Sequence, residues 1–159
     1  MSVMTATDLR VQTALKIVKP AHDVFEAIVD PKKMSNYFIS KGSGRLDEGM
    51  PVTWTWDDVQ VQAEVRPGKI EPDRFISFYG SPNGDETLTE IRLDAVEASA
   101  TVVRITETGW RKDDEGIAML ARQTQGWTGF LFGLKVFLEH GVNLRKGAFD
   151  PSMMPAKTR

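Results

Sequence analysis

Glu107 is the residue of this chain whose type and position best suit chemistry. In "VRITETG" (103–109) strand alternation puts Val103, Ile105 and Glu107 on one face. A carboxyl on an apolar face loses hydration, which raises its pKa and fits it to act as a general acid or as a hydrogen-bond donor to a ligand. If the sheet edge opens at that point, Glu107 is an ordinary solvated glutamate. Tyr79 and Tyr37 are the helpers the sequence offers. Around this group Trp54, Trp56, Trp127, Phe130 and Phe137 could wall a pocket for a ring-bearing or acyl ligand, or could simply form core. The candidate ligand-binding set is therefore Trp54, Trp56, Tyr79, Glu107, Trp127, Phe130 and Phe137, with Glu107 as the one catalytic candidate.

Other chemistries find less support. The two histidines, His22 and His140, fall at helix ends and neither has a ligand-spaced partner. With no cysteine, the chain has no disulfide, thiolate metal site or cysteine nucleophile. No P-loop, G-x-G-x-x-G or G-x-S-x-G motif occurs. No metal and no cofactor is expected. A net charge of -2 gives no basic field for nucleic acid. No apolar run approaches the ~20 residues that cross a bilayer, and "MSVMTATDLR" has no secretory pattern. The expectation is a cytoplasmic protein.

The elements that must position these residues follow from periodicity. "LRVQTALKIVK" (9–19) alternates as a strand, and Pro20 closes it. Val24, Phe25, Ile28 and Val29 recur at helical spacing, and Pro31 starts a second short helix. A short strand is expected around Arg45–Asp47. Further strands are expected at 51–56, 59–65, 74–80, 87–97 and 100–110, with Pro67-Gly68 as a bulge. One long helix then runs from about Asp114 to His140. Consecutive strands with short turns imply an antiparallel sheet, and only the long helix is large enough to cover its apolar face. The fold class is α+β, in one domain over residues 8–142, and the polar, aperiodic 143–159 is a tail.

The long helix poses a question. Leu120, Trp127, Leu131, Leu134 and Leu138 make an apolar stripe, yet Gly126, Gly129 and Gly133 lie beside it. Each interior glycine costs roughly 1 kcal/mol relative to alanine. Either the glycines let a neighbouring element approach closely, or they leave space for a ligand.

"VFEAIVDPKKMSNYF" (24–38), "EVRPGKIEPDRFISF" (64–78) and "GWTGFLFGLKVFLEHG" (126–141) together resemble the SRPBCC superfamily. Within it they are most similar to the family named for the activator of the heat-shock ATPase, in its bacterial stand-alone form. That resemblance implies a helix-grip (START-like) fold: a curved antiparallel sheet around a long C-terminal helix, with two short N-terminal helices and a pocket between sheet and helix. The family often carries Trp in the short second helix where this chain has Tyr37. The resemblance implies three kinds of role. They are a carrier of a small apolar ligand, a polyketide-cyclase-like or hydrolase-like enzyme, and a co-chaperone in a stress response with a chaperone partner. For the last, only Phe132 on the polar side of the helix hints at a contact surface. Monomer and homodimer are both open.

Overall fold

The computed structural model describes residues 9–154, so residue 8 and residues 155–159 of the expected domain and tail lie outside it. β1 (Val11–Ile17) leads into α1 (Ala21–Val29) and α2 (Pro31–Met34). Pro20 occupies the position before α1, and Asp30 caps α2 by accepting from the Lys32 N–H. β2 (Lys41–Gly42), β3 (Val52–Trp56), β4 (Val61–Glu71), β5 (Phe75–Gly80), β6 (Thr87–Glu97) and β7 (Ala100–Thr108) follow, then α3 (Asp114–His140). The strand expected around Arg45–Asp47 is not there. Leu46–Glu48 forms a 3-10 turn with Leu46 buried, and the pairing strand sits earlier, at Lys41–Gly42. Arg45 makes the difference: its guanidinium donates to Glu26 and Asp47, which ties this segment to α1 instead of the sheet.

All seven strands are antiparallel, in the order β1-β7-β6-β5-β4-β3-β2, and the sheet curves around α3. Inward-facing Val11, Ile17, Val52, Trp54, Ile76, Phe78, Ile91, Leu93, Val103 and Ile105 meet Trp127, Phe130, Leu131 and Leu134 of α3 in one core. Pro67-Gly68 does break the register of β4 with β5. A second irregularity lies between Ala95 and Glu97 in β6.

Both ends of α3 are set by sequence. Asp113 accepts from the Gly116 N–H at 2.8 Å, and Gly141 ends the helix in the left-handed region with its N–H bound to the Phe137 carbonyl. The interior glycines divide between two environments. Gly133 is buried, and a Cβ there would lie 3.0 Å from the Tyr37 carbonyl, so this glycine admits a close approach by the turn after α2. Gly126 and Gly129 are exposed, with nothing within 4 Å of where a Cβ would stand. Neither makes room inside the fold. Gly129→Ala is expected to raise stability by about 0.4–1 kcal/mol by restricting the unfolded chain. Gly133→Ala is expected to lower it by about 1 kcal/mol or more, because backbone stands in the way. Urea midpoints that move together would refute this division.

Candidate functional site

Glu107 lies at the end of β7, next to α3, and is 3% exposed. Its neighbours come from two elements. Thr89 of β6, directly opposite in the register, donates to Oε2 at 2.7 Å. Gln123 of α3 donates to Oε1 at 3.0 Å. The Glu107 backbone carbonyl accepts from the Trp110 indole at 2.8 Å, which fixes the strand end. Burial raises the carboxyl above its ordinary range, and the donors from Thr89, Gln123 and Trp127 only partly offset it. No cation is among the groups acting on it. The Trp127 indole N–H is close enough to favour the carboxylate, yet it makes no hydrogen bond of ordinary geometry. Trp127 is 6% exposed, so its donor is buried and unpartnered. Glu107 thus faces the helix; the open sheet edge that would have hydrated it is absent.

Beside this polar end the aromatic side chains interlock. Phe38, half-buried on the turn after α2, packs against Trp54, Trp56, Trp127 and Phe130 with ring centroids 4.8–6.1 Å apart. Trp54 meets Phe78 at 5.3 Å, and Phe78 meets Trp127 at 6.0 Å. Trp54, Trp56, Trp127 and Phe130 of the expected set therefore form one cluster between sheet and helix, and Trp127 joins it to Glu107.

Two residues of that set sit elsewhere. Tyr79 lies on the outer face of β5, where Arg66 stacks over its ring at 5.5 Å. Ile76 and Phe78 take the inward positions of that strand, so parity alone excludes Tyr79 from the helix side. Phe137 stacks on Tyr37 toward the far end of α3, about 20 Å along the axis from Gln123 at 1.5 Å per residue. Tyr37 is no helper to Glu107 either: its hydroxyl donates to the Ala27 carbonyl at 2.8 Å, and burial raises its pKa strongly.

The sequence reading did not name Thr89, Gln123, Phe38 or Phe78. Thr89 shares parity with Ile91 and Leu93, and Phe78 shares it with Ile76, so both were findable as inward positions. The segment after α3 is more engaged than a free tail. Arg145 donates twice to Asp58 in the β3–β4 turn and lies 6.0 Å from the Phe38 ring, over the aromatic cluster.

Outside this region the surface offers little that converges. Depressions of about 390 and 360 Å³ lie on the outer sheet face, where Phe75, Glu90 and Arg92 belong to both. His22 pairs with Asp73 at 2.9 Å. Among the described residues no group of three or more His, Asp or Glu could hold a metal ion, and no helix is long and apolar enough to cross a membrane.

The geometry can be set beside known proteins. No curated protein matches the chain in sequence. A structure of SSP2350 from Staphylococcus saprophyticus is similar at 30% identity and TM-score 0.73, over 86% of this chain and 96% of that one. CalU16 from Micromonospora echinospora has the same fold at 21% identity and TM-score 0.64, over 83% and 77% of the two chains. So does the Aha1 dimer from Colwellia psychrerythraea, at 21% identity and TM-score 0.66, over 83% and 97%. These folds are of the helix-grip type implied by the resemblance. The model of one family, the Activator of Hsp90 ATPase homolog 1-like proteins, matches residues 19–139, from the loop before α1 almost to the end of α3, and the chain belongs to that family.

Proposed function

We propose that the protein binds a small apolar or amphipathic molecule between the sheet and α3. Glu107 and Trp127 form the polar end, and Trp54, Trp56, Phe78 and Phe130 form the walls. One observation carries this reading: a buried carboxyl beside a buried indole N–H that has no partner. Leaving such a donor unmet costs about 1–3 kcal/mol, which a core serving stability alone has no reason to retain. The aromatic faces supply the affinity, at roughly 25 cal/mol per Å² of carbon covered before ordering costs. Phe38 fills the slot in the ligand-free chain. It is half-buried and stands on a turn, so uptake works by its displacement. Catalysis would need a second converging acid, base or nucleophile, whereas Thr89, Gln123 and Trp127 act on Glu107 as donors.

A second reading is a protein-contact role of the kind the family's name describes. Phe132, 50% exposed on α3 near Gly129, favours it. The dimer of the Colwellia relative makes self-association the first contact to test, by sedimentation.

Titration with a naphthalene dye tests the carrier reading. The expected result is saturable one-site binding, weakened about tenfold, or ~1.4 kcal/mol, in Trp56→Ala. The melting temperature of that variant should change little, since Trp56 is only half-buried. No saturable uptake up to about 1 mM, the range of a contact worth only ~4 kcal/mol, would end this reading.

A further inference from the structure

We infer that the polar end of this site selects a hydroxyl group, so that its ligands are flat ring-bearing molecules carrying a phenol or alcohol. The inference rests on the ligand-binding reading. A carboxylate offers about four lone-pair positions. Thr89 and Gln123 occupy one on each oxygen, which leaves acceptor capacity on Glu107. The Trp127 indole is a donor only, and nothing accepts from it. In its present orientation Glu107 meets the Trp127 indole only outside ordinary hydrogen-bond geometry. Thr89 holds it from the sheet, Gln123 holds it from α3, and Trp110 pins its backbone. The site therefore presents one unmet acceptor and one unmet donor side by side, in fixed orientation.

Few groups answer both. A carbonyl or ether oxygen accepts from the indole but turns only lone pairs toward the carboxylate. An ammonium satisfies the carboxylate and has no lone pair for the indole. A hydroxyl donates its O–H to Glu107 and accepts from Trp127 through one atom. Water has the same two valences, but it supplies no ring to take the place of Phe38 on the face of Trp127. A ring bearing the hydroxyl meets both demands.

Three probes of nearly equal size separate the possibilities at neutral pH: 2-naphthol, 2-methoxynaphthalene and naphthalene, titrated calorimetrically into the whole chain. 2-Naphthol is expected to bind at least tenfold more tightly than 2-methoxynaphthalene, with the ether within a few-fold of the hydrocarbon. Glu107→Gln should cut the preference for 2-naphthol over naphthalene several-fold. Trp127→Phe should reduce affinity for naphthol more than for naphthalene. Equal affinities for all three would overturn hydroxyl selection and leave the apolar carrier intact. Tighter binding of the ether than of the naphthol would overturn it too, by assigning the site to acceptors alone. If none of the three binds, the carrier reading falls together with this one. The wild-type series decides the matter even if a variant fails to fold.

Discussion

Truncating Phe130 to alanine is expected to cost about 3–5 kcal/mol of folding stability. Phe130 is 1% exposed and lies at the centre of the ring cluster, with Tyr37 at 5.3 Å, Phe38 at 4.8 Å and Trp127 at 5.2 Å, all edge-to-face. The loss has two parts: the apolar transfer free energy of the ring, and a cavity walled by the turn after α2 and by α3 itself. Those walls are held independently. Tyr37 is tied to α1 by its hydroxyl, and Trp127 is fixed on α3, so neither can collapse far into the gap. A domain of this length typically has 5–15 kcal/mol in all, so the fall is a large fraction of the total. It corresponds to a melting temperature lower by roughly 6–20 °C. Phe132 supplies the control, being two residues away on the same helix and half exposed. Phe132→Ala should stay within about 0.5 kcal/mol. Similar denaturation midpoints for the two variants would mean that α3 does not dock on the face described here. A double variant of Phe38 and Phe130 should depart from additivity by about 0.5–1.5 kcal/mol, the coupling of an edge-to-face pair.

That the two phenylalanines differ was legible in the sequence, because the apolar stripe of α3 is a matter of angle alone. The same holds for β6 and β7, whose alternation names Ile91, Leu93, Val103 and Ile105 as inward. The pairing between them was not legible. The turn at Ala98-Ser99 pairs Glu97 with Ala100, and a regular hairpin continuing from there would set Glu90 opposite Glu107. The irregularity between Ala95 and Glu97 shifts the register by one, so that Thr89 stands opposite Glu107 instead. The shift follows from the two apolar faces: without it Val103 and Ile105 would oppose the outward Asp94 and Arg92. Local turn chemistry proposes one register, and burial across the whole hairpin imposes another. Gln123 was hidden for a different reason. Its contact with Glu107 depends on how far α3 slides along the sheet, and no period within the helix fixes that distance. Gly126, Gly129 and Gly133 show the reverse failure. They share a strip by projection, but only Gly133 meets another element, and that element is an irregular turn with no pattern of its own. Phe38 belongs to the same turn, which is why it was missed while Trp54, Trp56, Trp127 and Phe130, which it packs against, were named.

Thr89→Val should cost about 1.5–3 kcal/mol at neutral pH and distinctly less in acid, the reverse of what an exposed ion pair would show. Thr89 is 1% exposed and donates to a buried carboxylate; valine keeps the shape and removes only the donor. The sign follows from Glu107. Its pKa in the folded chain is raised, so between the unfolded value of ~4.3 and the folded one the native state holds the extra proton. Stability contributed by this group is therefore greatest in acid and falls as pH rises through that window, after which it stays constant. The Thr89 bond favours the charged form, so deleting it raises the folded pKa further, widens the window and deepens the fall. Other carboxylates run the opposite way. Asp47, held low by Arg45, and Glu71, held low by Lys69, lose their contribution as pH falls. Those are common to wild type and variant, so the difference between the two curves isolates Glu107. In Glu107→Gln, which carries no charge at any pH, the amide can donate to Thr89 and accept from Gln123, and the extra cost of Thr89→Val at neutral pH should disappear. Urea unfolding of all four proteins at pH 4 and pH 7 measures this. If the Thr89→Val penalty is the same at both pH values, Glu107 keeps one protonation state between them, and its titration does not shape the stability curve in that range.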